Sequence, residues 1–175
     1  MWGIKRIMRK CIIIIRGTWI TLVYRPKGMV KVLGKVYLDT KKIEFGKNVQ
    51  LYPNVHIFGG GTIKIGNNVV IGDGTIICTA QSIVIGDDTM IAAQCYLTDC
   101  NHGMKLDAGP MRKQPVSVHK TRVGKNVWLG CGCKILAGSN IHDGAVVGAG
   151  TVVAGTVQDD IICYQERKYL QKLRR

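Results

Sequence analysis

Acidic residues are scarce in this chain, which has 11 of them against 25 Lys and Arg and a formal net charge of +14. The shortage is local, because residues 1–42 contain eleven basic residues and one acid, whereas residues 43–157 contain nine and seven. Most of the positive charge therefore belongs to the first quarter of the chain. The main domain has no strongly basic balance, and we predict no nucleic-acid partner.

Long apolar runs are also missing from the first 24 residues. The longest uncharged run there, residues 17–24, is shorter than the roughly 18 to 20 residues that a membrane-spanning helix needs. Arg16 lies where the apolar core of a signal peptide should be uninterrupted. The segment is therefore predicted neither to span a membrane nor to direct export, and we expect a cytoplasmic protein.

The same segment has the apolar periodicity of an amphipathic helix. One arc contains Ile4, Ile7, Met8, Cys11, Ile14, Ile15 and Leu22, and the opposite arc contains Lys5, Arg6, Arg9, Lys10 and Arg16. Two interpretations of residues 1–24 stay open. The basic helix lies on an anionic membrane surface, at the inner face of the cell membrane, or its apolar arc covers the end of the main domain.

The seven cysteines lack the spacing of a disulfide framework or of a zinc site. Cys95 and Cys133 lie at repeat positions that otherwise contain small residues, so we interpret them as buried thiols in a reducing compartment. The sequence Cys131-Gly-Cys133 is too short for a zinc knuckle, and the segment from Asp99 to His102 offers no paired ligands. We therefore predict that no metal is required.

What the sequence does have is a six-residue repeat in which an apolar residue is followed by a small one. The apolar positions before a single interruption are Phe45, Leu51, Ile57, Ile65, Ile71, Ile77, Ile85, Ile91 and Leu97, and those after it are Val123, Leu129, Ile135, Ile141, Val147 and Val153. This period fits neither a helix nor an alternating strand, and it is typical of a β-solenoid in which three units form one triangular turn. Steps of six, six and eight residues before the interruption predict a two-residue bulge at one corner.

The predicted fold class is therefore all-β, a parallel β-solenoid over residues 43–157 with its aliphatic residues in internal ladders. Residues 1–42 are expected to form the amphipathic helix and a transition. Residues 158–175 are expected to form a cap, with a short strand and a helix, over an edge that would otherwise be open to pairing.

The interruption is a loop, residues 98–122, and it contains His102. A compact solenoid does not otherwise need so long a loop. Because an imidazole titrates near neutral pH, His102 is a candidate general base, and Asp99 is close enough in sequence to orient its ring. The other histidines, His56, His119 and His142, lie within or beside repeat units and are interpreted as surface residues.

The repeats, the loop sequence NHGMK and the later run VGKNVWLGCGCKILAGSNIHDGAVVGAGTVV resemble the hexapeptide-repeat (left-handed β-helix) acyltransferases. Among these they look like sugar O-acetyltransferases of the maltose and galactoside acetyltransferase type and of capsule or lipopolysaccharide clusters. The resemblance covers residues 43–157. It implies a left-handed coil, a homotrimer, acetyl-CoA as co-substrate in a groove between two subunits, and His102 as the catalytic base.

The resemblance also implies a set of cofactor-binding residues. These are Trp128, Gly130, Cys131, Gly148, Ala149 and Ala154, with Trp128 bordering the groove, the Cys131 N–H facing the thioester carbonyl and the two alanines contacting the pantetheine arm. Two departures concern the ends of the site. Gly72 replaces an acceptor-binding asparagine, and the Gly-x-Pro-Ala motif is absent, so Arg167 and Lys168 are candidates for holding the adenine end of CoA.

The favoured function is acetyl-CoA-dependent O-acetylation of a sugar hydroxyl in surface polysaccharide biosynthesis (capsule, O-antigen or exopolysaccharide), with the polysaccharide or its lipid-linked precursor as the carbohydrate acceptor. An alternative is acetylation of a small soluble acceptor, such as a free sugar, an antibiotic or an amino-sugar nucleotide. A metal-dependent γ-class carbonic anhydrase would need three converging histidines, and Asp107 stands where the second loop histidine should be. A non-catalytic scaffold is the remaining alternative.

Overall fold

A computed structural model describes residues 2–166, with the side chains of residues 2–7, 9 and 10 left aside. The elements, in chain order, are α1 (Trp2–Tyr24), β1 (Val30–Val32), β2 (Tyr37–Asp39), β3 (Ile43–Phe45), β4 (Val49–Leu51), β5 (His56–Gly59), β6 (Thr62–Ile65), β7 (Val70–Ile71), β8 (Ile76–Thr79), β9 (Ser82–Ile85), β10 (Met90–Ile91), β11 (Tyr96–Thr98), β12 (Cys100–Asn101), a 3-10 turn (Met111–Lys113), β13 (Ser117–Val118), β14 (Thr121–Val123), β15 (Trp128–Leu129), β16 (Lys134–Ile135), β17 (Asn140–Ile141), β18 (Val146–Val147), β19 (Val152–Val153), β20 (Thr156–Val157) and β21 (Ile162–Cys163). The helix predicted at the C-terminus, together with Arg167 and Lys168, lies outside the described residues.

The strands form three parallel sheets, each of which is one face of a triangular prism. Face A consists of β1, β4, β7, β10, β15, β18 and β21, face B of β2, β5, β8, β11, β16 and β19, and face C of β3, β6, β9, β14, β17 and β20. The chain visits the faces in the order A, B, C and then begins the next turn. The predicted parallel β-solenoid is therefore confirmed, and it is consistent with the left-handed coil that the resemblance implies.

The turns stack in register across the loop. Met90 pairs with Val70, 20 residues earlier, and Trp128 pairs with Val146, 18 residues later. Met90 and Trp128 also pair with each other, so a turn of 38 residues fits between two ordinary ones. The loop leaves at the corner between faces B and C, where the preceding turns place their two extra residues. One corner of the prism therefore accepts insertions while the stack stays continuous.

The apolar residue of each repeat points into the prism, and none of the fifteen predicted positions is more than 5% exposed. A second internal column near the corners contains small residues, and its polar members are hydrogen-bonded to the next turn. Thr89 Oγ1 donates to the Gly124 carbonyl at 2.8 Å, and Ser139 Oγ donates to the Val153 carbonyl at 3.0 Å. The core is thus built from columns of similar residues one turn apart.

The solenoid extends beyond the predicted boundaries at both ends. Val30 pairs with Val49 in the first turn, so the coil begins well before Ile43. At the other end, Ile162 pairs with Val146, so a strand of face A follows Val157. In the first turn, Val32, Leu38 and Phe45 take the places of the repeat's apolar residues, with steps of six and then seven residues.

Helix α1 confirms the predicted helix and covers the N-terminal end of the prism. Ile20 is fully buried, and a Cβ atom at Gly17 would lie 2.7 Å from the Val30 carbonyl oxygen, so the helix approaches the first turn closely. The Tyr24 hydroxyl donates to the Thr40 carbonyl at 2.8 Å. Burial, and then the charge of Asp39, raises the pKa of Tyr24. The end of the core is therefore closed by one stripe of the helix.

The stripe that packs on the prism is not the apolar arc that the sequence predicted. Ile14, Ile15 and Leu22 of that arc are 67%, 68% and 76% exposed. The interpretation that this arc covers the solenoid is wrong, because the close contact is made through Gly17 and Ile20, which belong to a different side of the helix. Within the described residues, no helix is long and apolar enough to cross a membrane.

Replacing Ile83 with Ala should lower the free energy of unfolding by about 2–5 kcal/mol, because Ile83 is fully buried in face C and its removal leaves a cavity. Urea denaturation of the two proteins measures the difference. Val84→Ala is the matched control, since Val84 is the next residue and points outward. Equal losses for the two variants would contradict the assignment of inward and outward positions.

Candidate functional site

The loop that contains His102 begins as a two-stranded ribbon. Strand β12 pairs antiparallel with β13, so that Cys100 lies opposite Val118 and Asn101 opposite Ser117. The ribbon ends at His102, which follows Asn101 directly. The histidine therefore lies at the far end of a hydrogen-bonded ribbon that leaves the corner between faces B and C.

The imidazole of His102 is exposed, and it has no hydrogen-bond partner among the described residues. The Asp99 side chain, in contrast, is fully buried and accepts four hydrogen bonds from the corner one turn earlier. Its donors are the Thr79 hydroxyl and the backbone N–H groups of Ala80, Gln81 and Ser82. The predicted contact between Asp99 and the His102 ring is therefore absent from this structure, because both carboxylate oxygens are occupied elsewhere.

Gln114 organises the segment that follows His102, and nothing in the sequence patterns pointed to it. Its side chain is 7% exposed although it belongs to a surface loop. Oε1 accepts from the Lys105 N–H at 2.9 Å, and Nε2 donates to the carbonyls of Lys105 and Gly109 at 2.8 and 2.7 Å. The loop is thus folded around a buried amide.

Trp128 lies on the outer side of face A, next to the corner between faces A and B. Its side chain is 50% exposed. The corner continues through Gly130, where a Cβ atom would lie 2.6 Å from the backbone nitrogen of Ala149 in the next turn. At Gly148, a Cβ atom would lie 2.9 Å from the Cβ of Tyr164. The glycines allow successive turns to stack closely beside the exposed indole.

The corner between faces A and B leaves backbone donors free. The N–H groups of Ala93, Cys131 and Ala149 occupy equivalent places in successive turns. None of them donates a hydrogen bond to an acceptor among the described residues. At the corner between faces C and A, the equivalent N–H of Lys125 donates to the Asp143 side chain at 2.8 Å. One turn after Lys125 the chain has Asp143, which has a carboxylate to accept the hydrogen bond. One turn after Cys131 it has Ala149, whose side chain has no acceptor. Free N–H groups in a column can bind carbonyl oxygens or a developing oxyanion.

The predicted site residues of one chain fall into two groups on opposite edges of face B. Trp128, Gly130, Cys131, Gly148 and Ala149 belong to the corner between faces A and B. His102 and Ala154 belong to the corner between faces B and C, since Ala154 lies between β19 and β20. A face of four to five extended residues separates the corners by on the order of 15 Å. One chain therefore does not bring the whole predicted set together.

Two thiols of the solenoid belong to its interior. Cys95 and Cys133 are buried, as predicted, and donate to the carbonyls of Gly130 and Gly148 at 3.2 and 3.1 Å. Burial, followed by the charge of Cys100, raises the pKa of the Cys78 thiol. Within residues 2–166, no three His, Cys, Asp or Glu side chains are grouped so that they could hold a metal ion.

Two family models match the chain on either side of the loop. Residues 120–155 match the family described as bacterial transferase hexapeptide (six repeats), and residues 62–99 match the hexapeptide repeat of succinyl-transferase. Both models describe hexapeptide repeats of transferases, and the repeats of this chain are similar to them. Both matches cover strands of the solenoid, so this hexapeptide-repeat protein has its family signature in the coil and its loop between the two signatures.

Two relatives of this hexapeptide-repeat protein are named as O-acetyltransferases. It is 33% identical over 127 residues to WbbJ of Escherichia coli K12, named as a lipopolysaccharide biosynthesis O-acetyl transferase, with 69% of this chain and 55% of WbbJ covered. It is 25% identical over 146 residues to the galactoside O-acetyltransferase of Lactococcus lactis, with 82% and 67% covered. The chain thus spans about half the length of WbbJ.

Among solved structures, the coil is similar to AntD, an N-acyltransferase from Bacillus cereus in complex with dTDP and 3-hydroxybutyryl-CoA. The TM-score is 0.68 at 19% identity, and the alignment covers 85% of this chain and 83% of AntD. At this identity the similarity concerns the fold. The two chains therefore have the same solenoid fold.

Proposed function

We propose that this protein transfers an acetyl group from acetyl-CoA to a hydroxyl of a sugar in surface polysaccharide biosynthesis, such as capsule, O-antigen or exopolysaccharide. The observation that carries the proposal is that the same chain has an exposed imidazole without a partner, on a protruding ribbon, and free backbone N–H groups beside Trp128 at another corner. The names of WbbJ and of the galactoside enzyme support a sugar hydroxyl as the acceptor.

The proposed reaction divides the work between the two groups of residues. His102 takes the proton from the sugar hydroxyl as the oxygen attacks the thioester carbonyl. The carbonyl oxygen becomes an oxyanion, and the Cys131 N–H donates a hydrogen bond to it. When the tetrahedral species collapses, the carbon–sulfur bond breaks, the acetyl ester remains on the sugar, and the imidazolium returns the proton to the CoA thiolate. The side chain at position 131 takes no part, so cysteine is tolerated there.

Acetyl-CoA is proposed to lie along the corner between faces A and B. The exposed indole of Trp128 offers a large apolar surface beside the thioester. The Ala149 N–H is free to bind the amide carbonyls of the pantetheine arm. Arg167 and Lys168, outside the described residues, remain the proposed partners of the adenine end.

We further propose that a second copy of the chain completes the site, within a homotrimer. His102 and Cys131 lie at different corners of one prism, so a neighbouring copy is needed to place a ribbon against an A–B corner. The outward residues of faces A and B are largely apolar, and they include Met90, Trp128, Ile162, Tyr37, Ile76 and Tyr96. Those of face C include Glu44, Lys64, Arg122 and Asn140. This contrast favours contacts between copies through faces A and B and a solvated face C.

An amino-sugar nucleotide is the second candidate acceptor, and the AntD complex with dTDP and an acyl-CoA favours it. In that case the product is an amide and not an ester. Mild hydroxylamine releases acetyl groups from esters and leaves amides intact, so the product itself distinguishes the two acceptors. The imidazole of His102 would then accept a proton from an ammonium group.

We also propose that helix α1 lies on the anionic inner face of the cell membrane. Ile14, Ile15 and Leu22 are exposed on the side that faces away from the prism. The first 42 residues have eleven basic residues against one acid, so apolar insertion and charge act together. A lipid-linked acceptor would then be found where the enzyme binds.

His102→Ala should lower kcat by about 10²–10⁴ while acetyl-CoA binding stays near the parental value, because the base is lost and the proposed CoA corner is untouched. Steady-state kinetics and calorimetric titration with acetyl-CoA measure the two quantities. His119→Ala, in the same loop, is the matched control and should keep full turnover. Near-parental turnover of purified His102→Ala would show that another group is the base.

Ile76→Glu should weaken the oligomer, because it places a charge in the apolar outward column of face B. Sedimentation velocity at micromolar concentration measures the change from a trimer to smaller species. Val84→Glu is the control, because its neighbours in face C are Lys64 and Arg122, which favour a carboxylate. If Val84→Glu dissociates the oligomer and Ile76→Glu does not, the wrong faces have been assigned to the interface.

Leu22→Glu should lower binding to vesicles containing anionic lipid by about tenfold or more, because an inserted leucine contributes roughly 1.5–3 kcal/mol. Co-sedimentation measures binding, which should also weaken with salt, since surface charges are screened within about 8 Å at physiological ionic strength. Ile161→Glu, at the opposite end of the prism, is the control. Deleting the helix is a poor test, because Ile20 belongs to the core. Equal binding by all three proteins would contradict membrane attachment through α1.

A further inference from the structure

The root of the His102 loop is fastened by a carboxylate that replaces a missing piece of the solenoid. At the B–C corner of an ordinary turn, the N–H groups of Gly61 and Thr62 donate to the carbonyls of Thr79 and Gln81 in the following turn. The next such corner is formed by residues 79–82. The turn after it leaves the coil as the loop, so equivalent carbonyls are absent there. Asp99 supplies acceptors in their place.

Both oxygens of the Asp99 carboxylate accept hydrogen bonds from this corner. Oδ1 accepts from the Ala80 N–H at 2.7 Å, and Oδ2 accepts from the N–H groups of Gln81 and Ser82 at 2.9 and 2.6 Å. The Thr79 hydroxyl adds a further bond to Oδ2 at 2.7 Å. The Asp99 carbonyl in turn accepts from the His119 N–H at 2.8 Å, which ties the exit strand to the same point. Both stems of the loop are therefore fixed at Asp99.

A second clamp lies on the other side of His102. The Gln114 amide makes three hydrogen bonds to the backbone of Lys105 and Gly109. A Cβ atom at Gly103, the residue after His102, would lie 2.7 Å from the Cβ of Gln114, so this part of the chain packs directly on the glutamine. His102 thus lies between two fixed points, one three residues before it and the other immediately after it.

We infer that Asp99 and Gln114 are positioning residues, which hold the loop so that the His102 imidazole projects in one direction before any substrate binds. The inference rests on the proposed function, because it concerns the placement of the proposed base. Neither side chain contacts the imidazole in this structure. Their effect on the reaction is through geometry, and a displacement of about 1 Å at a reacting group can cost on the order of a hundredfold in rate.

The test uses Gln114→Met, which keeps the volume and removes all three hydrogen bonds, and Asp99→Asn, which keeps the shape and places an N–H donor against other donors. Both variants of the full chain should lower kcat by about 10- to 100-fold while the acetyl-CoA KM stays near the parental value. The NMR signal of the His102 imidazole should be a single line in the parent and should broaden or split in Gln114→Met without substrate. Lys113→Met and Asp107→Asn, matched changes on exposed residues of the same loop, should alter neither kcat nor the signal.

The pH profile separates positioning from direct contact. If Asp99 acts through the loop, Asp99→Asn lowers the plateau of kcat/KM and leaves the acidic limb in place. An Asp99 charge in contact with the ring would instead move that limb by about 1–3 pH units when it is removed, and this outcome would overturn the inference for Asp99. Parental kcat and a parental imidazole signal in Gln114→Met would overturn it for Gln114, whether or not Asp99→Asn folds.

The imidazole signal also separates this inference from the proposed function. A parent protein that transfers no acetyl group, but whose His102 signal responds to Gln114→Met and not to Lys113→Met, would refute the function and support the loop clamps. An active parent whose His102 signal and kcat do not change in either clamp variant would support the function and refute the loop clamps.

Discussion

In-register stacking is the constraint on which the rest of this molecule depends. Because the strands of each face are parallel and pair one turn apart, paired residues are 16 to 20 positions apart in sequence, or 38 positions apart across the loop. Similar side chains therefore form columns, and the backbone groups of a corner must find acceptors in the next turn. The three corners meet this demand differently. The C–A corner uses Asn and Asp side chains, the loop root uses Asp99, and the A–B corner leaves donors unpaired beside Trp128.

The candidate site follows from these differences and not from a change of fold. The same coil that buries Ile77 and Ile135 presents free N–H groups where the next turn has alanine, and a ribbon where the turn is lengthened. The lengthened turn does not weaken the stack, since Met90 and Trp128 pair across it. The groups that we propose for binding and proton transfer thereby lie on the surface of a prism whose interior is uniform. The separation of His102 from Cys131 by one face is the reason why we propose that a second copy completes the site.

The six-residue period predicted the inward positions because a narrow prism accepts only apolar residues of similar size at those places. It did not predict the first turn, since the step from Leu38 to Phe45 is seven residues and the residues after Val32 and Leu38 are not small. The helix itself was predicted, but apolar periodicity could not show which side packs on the prism. Gly17 is on that side because it has no side chain and lets the helix approach the first turn closely, not because it is apolar. Asp99 was interpreted from its distance of three residues to His102. Its partners are about 20 residues earlier, one turn away, and only the register reveals that neighbourhood.

The free N–H of Cys131 has a consequence for how such coils change over time. At the C–A corner an aspartate one turn later seals the equivalent donor, as Asp143 does for Lys125. Position 149 has alanine, so an edge with a sealed donor and an edge with a free donor differ by a single carboxylate at a surface position. A substitution of this size changes which groups an edge can bind and leaves the interior residues in place. Scaffolding and recognition are thus separately adjustable properties of one repeat.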